Sequence, residues 1–286
     1  RIEKLANEVI DGFEGNGAVE LIKAFAAPIP AVVIAEMIGL PAEMAPQLLN
    51  WSNRMVAMYM FGVSEATEHD ANAASKDFVD YLRSVIADRR KAPKGDLLSH
   101  MLTAEVNGEK LSEDEVISTS ILLLNAGHEA TVHTTGNGVK AILESGIDPQ
   151  MLFSADAQTE ATVEECIRYD APLHMFTRYA LSDLELDGGL KLRKGDVIGL
   201  MLAAANRDPS RFGNAGTFDP FRTDGANVSF GAGIHFCIGA PLARIEMQVA
   251  MRVLFERLPT LRLAEAPAYK DVYHFHGLDT LKVAWG

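Results

Sequence analysis

Hydrophobic residues recur along most of this chain with the three- and four-residue spacing of an amphipathic α-helix. Few glycines or prolines interrupt that spacing in four long segments, where we predict helices over residues 1–13, 42–60, 65–90 and 112–143. Shorter apolar and β-branched runs in the second half predict strands at residues 176–180, 196–202 and 281–285. The pattern therefore predicts a mainly α fold with small β-sheets.

The helix predicted over residues 112–143 has a well-specified beginning and an apolar body. Ser112 and Glu115 have the spacing of a capping box, in which each side chain satisfies a backbone N–H of the other. Residues 121–124 are all aliphatic, so the helix should lie inside the fold. Glu129 then brings a carboxylate into the interior, which is costly without a partner or water. Glu129 is therefore a candidate functional residue, unless it lies on an exposed stripe.

A second helix is predicted after residue 240. Pro241 suits a first turn, and Leu242, Ile245 and Val249 share one face. Cys237 lies just before this helix among glycines, where the unpaired N–H groups of a helix start favour an anionic sulfur. We predict a thiolate and a metal ligand at Cys237, the alternative being a buried structural cysteine.

Composition narrows the class of protein. The chain has 286 residues, of which 48% are hydrophobic and 23% charged, so one domain over residues 1–286 is expected. The only cysteines, Cys166 and Cys237, are far apart, so neither a disulfide framework nor a zinc site is predicted. We expect Cys166 to pack in the core. The net charge of −13 gives no basic face for nucleic acid. Residues 27–40 are apolar, but Pro28 and Pro30 interrupt the run. No membrane association is therefore expected, and we expect a cytoplasmic location.

Residues 230–239 read Phe-Gly-Ala-Gly-Ile-His-Phe-Cys-Ile-Gly, and Leu-Ala-Arg follows at 242–244. This stretch resembles the cysteine loop of the cytochrome P450 family at every fixed position. The resemblance implies that Cys237 is the axial ligand of the iron of haem b. It also implies that His235 points at a haem propionate and that the loop residues Phe230, Gly231 and Gly239 lie against the haem. A thiolate ligand favours cleavage of a bound O–O bond.

A second stretch, residues 125–131, resembles the family's acid-containing motif on the distal side of the haem. The match implies catalytic roles for the motif positions Ala126, Gly127, Glu129 and Thr131. The family usually has threonine where this chain has Ala130, and Thr131 lies about 100° further around the helix, so it does not simply replace the missing hydroxyl. We expect an ordered water or a substrate hydroxyl to complete proton delivery beside Glu129.

A third stretch, Glu165-Cys166-Ile167-Arg168, resembles the family's Glu-x-x-Arg helix. Taken alone, such a pair contributes only about 0.2–0.5 kcal/mol. The resemblance implies a buried ion pair between Glu165 and Arg168 that holds the cysteine loop. Its usual third member precedes Phe218, where this chain has Thr217. The resemblance also pairs Arg178 with a haem propionate. We interpret residues 206–209, Asn-Arg-Asp-Pro, as a turn.

The substrate pocket is located by resemblance only. It would draw on apolar side chains of the second stretch, the strand-like segment and the terminal turn, as expected for a small hydrophobic molecule. The residues implied are Leu123, Leu173, Met175, Phe176, Phe275 and His276, together with Ala126.

The function implied is that of a haem-thiolate monooxygenase, which inserts one oxygen atom from O2 into a small hydrophobic organic substrate. Electrons would come from a ferredoxin and its reductase, and Arg244 and Arg252 are either docking residues for that acidic partner or solvated arginines. The alternatives are a peroxide-driven peroxygenase and an inert haem-binding fragment. The resemblance implies a P450 fold that lacks its N-terminal strands and helices A to C. The chain would then be one haem-thiolate catalytic domain that is incomplete at its N-terminus. We expect this domain to bind haem weakly.

Overall fold

The structure, a computed structural model, describes residues 1–60, 62–272 and 275–286, and helices dominate it. The α-helices in this part of the chain are α1 (Ile2–Asp11), α2 (Pro28–Ile38), α3 (Ala45–Val56), α4 (Glu65–Lys91), α5 (Leu97–Thr103), α6 (Glu113–Ser145), α7 (Pro149–Leu152), α8 (Asp156–Tyr169), α9 (Leu202–Ala205) and α10 (Ala240–Arg257). The predicted helices correspond to α1, α3, α4, α6 and α10. The mainly α fold is confirmed.

The β-structure is small and antiparallel. The strands are β1 (Ala18–Glu20), β2 (Glu105–Val106), β3 (Glu109–Lys110), β4 (Met175–Tyr179), β5 (Leu184–Glu185), β6 (Lys191–Leu192), β7 (Val197–Met201), β8 (Arg262–Leu263), β9 (Ala268–Tyr269), β10 (Leu278–Thr280) and β11 (Lys282–Ala284). β11 lies between β1 and β8, and the other pairs are β2–β3, β4–β7, β5–β6 and β9–β10. The three predicted strands are β4, β7 and β11.

Helix α6 is the central element, and its ends are set by local chemistry. Ser112 Oγ accepts a hydrogen bond from the Glu115 backbone N–H at 3.3 Å, and Glu115 Oε2 accepts one from the Ser112 N–H at 2.8 Å, as predicted. At the other end Gly146 has φ 71°, a left-handed conformation that favours glycine. The helix therefore begins and ends where its sequence specifies.

Helix α6 passes through both hydrophobic clusters of the described residues. Its first half contributes Ile117 and Leu124 to a cluster with α2 to α5. Its second half contributes Val139 and Ile142 to a cluster with α1, α8, α10 and the three-stranded sheet. The residues between these halves, which include the candidate acid, lie where the two clusters meet.

The interrupted apolar run at residues 27–40 forms helix α2. Pro28 and Pro30 lie in its first turn, where a missing N–H costs no helical hydrogen bond, so they do not break it. Gly39 ends the helix with φ 103°. No helix among the described residues is long and apolar enough to cross a bilayer.

Helices α6, α8 and α10 approach closely at Gly138. A Cβ added there would lie 3.0 Å from Cys166 Sγ and 3.3 Å from Met251 Cε, so a side chain would push the helices apart. Cys166 is only 1% exposed, and burial raises the pKa of its thiol well above the ordinary value. The expected core role of Cys166 is confirmed, and it is held in the protonated form.

Candidate active site

The loop ahead of α10 folds tightly around Cys237. The Cys237 N–H donates to the Phe230 carbonyl at 2.9 Å, and the Gly231 N–H donates to the Val228 carbonyl at 2.9 Å. Gly231 and Gly233 have φ 70° and 67°, in the left-handed region that glycine adopts without strain. We refer to residues 228–239 as the cysteine loop. Its backbone hydrogen bonds fix where the sulfur lies.

Cys237 is half-buried, directly before helix α10. The Ala240 N–H donates to its carbonyl at 3.2 Å, and a Cβ at Gly239 would lie 3.8 Å from its Sγ. The thiol therefore lies at the positive end of an 18-residue helix beside a residue without a side chain. The missing side chain at Gly239 leaves room for a flat ligand beside the sulfur.

A buried ion pair on α8 supports the loop. Arg168 Nε and Nη2 donate to the two carboxylate oxygens of Glu165 at 2.6 and 2.7 Å, and both side chains are at most 2% exposed. Arg168 also donates to the carbonyls of Asn206 at 2.8 Å and Ala215 at 3.0 Å. The predicted pair is present, and it is joined to the segment that leads to the cysteine loop.

The third member of this network is Arg222, although the position where the family's third member was expected holds Thr217. Arg222 Nε donates to Glu165 Oε2 at 2.9 Å, and its side chain is 9% exposed. Thr217 contributes its carbonyl instead, which accepts from Arg168 at 3.1 Å and Arg222 at 3.2 Å. The second cation lies five residues beyond the position where the sequence suggested it, because the chain turns at Asp219 before it returns to α8.

Asn206 does more than form the turn that its sequence predicted. Its side chain is fully buried; Nδ2 donates to Ser229 Oγ at 2.7 Å, and Oδ1 accepts from the Val228 N–H at 2.8 Å. Ser229 Oγ donates in turn to the Ile167 carbonyl on α8 at 2.7 Å. Asn206 therefore connects α8 to the beginning of the cysteine loop.

The two arginines of α10 considered for partner docking are already engaged. Arg244 binds the Glu164 carboxylate and lies over the Phe230 ring at 4.6 Å, which adds support to the cysteine loop. Arg252 donates to Asp156 Oδ1 at 2.7 Å. Both side chains are 32% exposed, so neither is a fully solvated arginine, and their docking of a partner stays a prediction.

The distal motif lies in the middle of α6. Ala126 is exposed and Gly127 half-buried, and a Cβ at Gly127 would lie 3.0 Å from Ile34 Cγ1 of α2. The Glu129 side chain is 20% exposed, and its Oε2 is buried without a hydrogen bond to any described residue. Thr131 is 8% exposed. Glu129 therefore lies at the edge of the core and not on an exposed stripe.

The predicted pocket residues other than Ala126, which is exposed, are half-buried, and they come from several elements. Leu123 packs against the α2–α5 cluster, Met175 and Phe176 lie on β4 opposite β7, and Leu173 precedes that strand. Phe275 stacks on the buried ring of His133, with centroids 6.2 Å apart. The structure brings Phe275 to α6 directly.

His276 faces a polar cluster and not an apolar pocket. Its Nε2 lies 3.2 Å from Asp170 Oδ1 and its ring stacks on Tyr269 at 4.3 Å. Burial alone would raise the pKa of Asp170, but hydrogen bonds from His276 and Tyr269 hold it below the ordinary value. Asn137 Nδ2 donates to the carbonyls of Asp170 and His276 at 3.1 and 3.2 Å. His276 thus holds the terminal turn in place, and no contact here supports its assignment to the pocket.

Several large apolar side chains are unusually exposed, and they come from three elements. They include Leu122 of α6 at 60%, Val197 and Met201 of β7 at 56% and 52%, and Ile234 and Ile238 of the cysteine loop at 97% and 87%. Single exposed apolar side chains are common on protein surfaces and do not by themselves define a binding site.

The donor set fits haem. No group of three or more His, Cys, Asp or Glu side chains in the described residues could hold a metal ion. A porphyrin supplies four ligands to its own iron, so the protein needs to add only one axial donor such as the Cys237 sulfur. Arg178 lies half-buried on β4, and its one hydrogen bond among the described residues goes to the Thr177 carbonyl. His235 is exposed on the cysteine loop.

Glu246 of α10 is a buried acid that the sequence analysis did not single out. It is 2% exposed, neither carboxyl oxygen has a hydrogen-bond partner among the described residues, and burial raises its pKa to about 8. Its carboxyl group is therefore mostly protonated near neutral pH. Its position in sequence gave no signal, because it lies among apolar helix residues as a solvated glutamate would.

Comparison with known proteins agrees with this geometry. Residues 157–263 match the family described as Cytochrome P450. The chain is 38% identical over 287 residues to the polyketide biosynthesis cytochrome P450 PksS of Bacillus subtilis, covering 99% of this chain and 69% of that protein. It is 35% identical to the biotin biosynthesis cytochrome P450 of the same organism, covering 72% of that protein.

Solved structures give the same answer. A crystal structure of P450BioI in complex with an acyl carrier protein carrying hexadec-9Z-enoic acid aligns with a TM-score of 0.93 at 35% identity, over 100% of this chain and 73% of that one. The crystal structure of CalO2 aligns with a TM-score of 0.93 at 32% identity, over 72% of its chain. The chain belongs to the cytochrome P450 family. It is a monooxygenase whose cofactor is haem b, and its fold is that of the family, as expected.

Replacing Glu165 by Gln should strongly destabilise the chain, because Arg168 would then lie buried without a counter-charge and Arg222 would keep only Asp224. We expect a loss of about 3–5 kcal/mol in the free energy of unfolding. Denaturant unfolding measures it. Glu144→Gln is the matched control, because it breaks the exposed Lys140–Glu144 pair and should lose under about 0.5 kcal/mol. Similar losses for the two variants would contradict a buried network.

Proposed function

We propose that Cys237 holds the iron of haem b and that the enzyme inserts one oxygen atom from O2 into a small hydrophobic substrate. The observation that carries the proposal is the half-buried thiol on a glycine-constrained loop, held by a buried ionic network. When bound, haem supplies the redox-active iron, and a thiolate ligand favours cleavage of an O–O bond. The chain's own residues position, surround and protonate that centre.

On the proximal side, the cysteine loop is proposed to position the sulfur and to lie against the haem ring. Phe230 is held beneath the Arg244 guanidinium, and Gly231 and Gly239 leave the space that side chains would fill. We assign His235 and Arg178 to the haem propionates, since both are cationic or neutral donors with N–H groups not engaged by a carboxylate among the described residues.

On the distal side, Glu129 is the residue proposed to move protons. Ala126, one turn before it, is small and exposed and is proposed to leave room for dioxygen and substrate, while Gly127 lets α2 pack closely through Ile34. Ala130 provides no hydroxyl, and the Thr131 side chain lies about 100° away around the helix. A water or a substrate hydroxyl beside Glu129 is therefore proposed to complete the path.

The substrate is proposed to be mostly apolar. Leu123, Leu173, Met175, Phe176 and Phe275 are the proposed wall residues, all half-buried. Related structures were solved with apolar ligands: testosterone in CYP109E1, at 28% identity, and myristic acid in CYP267B1, at 34% identity. A rigid sterol-like or flexible acyl substrate would suit a pocket of this chemistry.

The electrons are proposed to come from a separate ferredoxin and its reductase. The described residues contain no second cluster of metal-ligating side chains, and the sequence has no segment resembling a flavin site. A cytoplasmic location accords with such a supply of electrons. Turnover with hydrogen peroxide alone, in the absence of any reductase, would favour the peroxygenase alternative.

Replacing Cys237 by Ser should abolish the carbon monoxide difference spectrum that is typical of thiolate-ligated haem, because a serine hydroxyl does not replace the anionic sulfur. The spectrum of the reduced holoenzyme measures it directly. Cys166→Ser is the matched control: it alters the other cysteine, in the core, and should leave the spectrum unchanged even where stability falls. A thiolate spectrum that survives in Cys237→Ser would refute the proposed ligand.

Ala130→Thr should increase the product formed per NAD(P)H consumed when the substrate lacks a polar group near the iron. The added hydroxyl would take the place of the water that is proposed to complete proton delivery. With a substrate that carries a hydroxyl there, the gain should be small. If variant and wild type couple equally well with the apolar substrate, the proposed gap beside Glu129 does not exist.

A further inference from the structure

His133 lies on α6 one turn after Glu129, and its position is unusual for a histidine. Its side chain is only 4% exposed, and its Nε2 lies 3.9 Å from Glu129 Oε1. The His133 Nδ1 and the Glu129 Oε2 are both buried without a hydrogen bond to any described residue. A buried imidazole and a partly buried carboxylate therefore face each other across a short gap.

The spacing explains why these two side chains meet. Residues i and i+4 lie on the same helix face, so the Glu129 carboxylate and the His133 ring are direct neighbours. At 3.9 Å the contact is longer than a charge-assisted hydrogen bond, which is about 2.7–2.9 Å. A small rotation of either side chain would bring Nε2 within hydrogen-bond distance of Oε1.

The terminal turn prevents the His133 ring from moving away. A Cβ at Gly277 would lie 1.9 Å from His133 Nδ1 and 2.4 Å from its Cγ, so the ring lies directly against the Gly277 backbone. The Phe275 ring stacks on the His133 ring, with centroids 6.2 Å apart and planes 28° apart. The same turn is tied to α6 through Asn137. The imidazole therefore has little freedom except toward Glu129.

We propose that His133 is a positioning residue that fixes the orientation of the Glu129 carboxylate. The proposal rests on the proposed function, in which Glu129 delivers protons. With Ala130 in place of a hydroxyl-bearing residue, Glu129 has no neighbour on that side to orient it. An Nε2–H of His133, in the neutral or the charged ring, can donate to Oε1 and hold the carboxylate in one orientation.

The first test measures product formation by the holoenzyme. His133→Leu removes the donor and should lower the rate of product formation by about 10- to 100-fold, the loss that accompanies misplacement of a reacting group by about 1 Å. His133→Gln retains an N–H donor and should recover most of that rate. His128→Leu is the matched control, because His128 is also buried on α6 but its Nδ1–H donates to the Leu124 carbonyl. It should change the rate of product formation by less than about twofold, much less than the loss predicted for His133→Leu.

The second test needs no haem. A double-mutant cycle with Glu129→Gln and His133→Leu, measured by denaturant unfolding of the haem-free chain, should give a non-additive interaction between the two positions. The corresponding cycle of Glu129→Gln with His128→Leu should be much closer to additive. Additive effects in the Glu129–His133 cycle would overturn the proposed contact.

The outcomes separate the two proposals. If the wild-type holoenzyme lacks the carbon monoxide spectrum of thiolate-ligated haem, the proposed function is wrong. The double-mutant cycle on the haem-free chain would still test the role of His133. An intact spectrum in His133→Leu, together with a wild-type rate of product formation, would overturn the role of His133 alone. Equal losses in His133→Leu and His133→Gln would likewise overturn it, because a donor would then make no difference.

Discussion

The buried carboxylate of Glu165 is the constraint on which the rest of the site depends. A lone charge at 1% exposure would be prohibitively costly, yet this one accepts hydrogen bonds from Arg168, Arg222 and the Asp219 N–H. The remaining N–H groups of Arg168 donate to carbonyls of the segment that follows α9. Satisfying one charge therefore fixes a long irregular segment against α8, and that segment leads to the cysteine loop.

The distal half of the site depends on a different kind of constraint. Helix α6 lies at the junction of two hydrophobic clusters, and small residues such as Gly127 and Gly138 let its neighbours approach closely. The polar residues in its middle are consequently buried, and each needs a partner from α6 itself or from a neighbouring element. Asn137 finds one in the terminal turn, and Glu129 faces His133. The proximal side is thus fixed by charge, and the distal side by packing.

Local signals in the sequence predicted those parts of the fold and site that depend on neighbouring residues. The capping box at Ser112, the glycines around Cys237 and the spacing of Glu165 and Arg168 are of this kind. Arg222 was missed because its contact spans 57 residues, and only its position after Phe218-Asp219-Pro220 could have suggested it. The contact of the His276 ring with Asp170 was not predicted, because no local pattern reveals it. The environment of His133 could not be predicted, because Gly277, which packs against it, lies far along the chain.

The central claim is that the α8 network determines the structure of the cysteine loop, and amide hydrogen exchange in Arg222→Gln tests it most directly. We predict faster exchange at the loop amides of Val228, Gly231 and Cys237 than in wild type, with α4 unchanged. Arg83→Gln, which breaks an exposed pair with Asp114, should leave the loop as it is. Unchanged protection of the loop in Arg222→Gln would contradict the account.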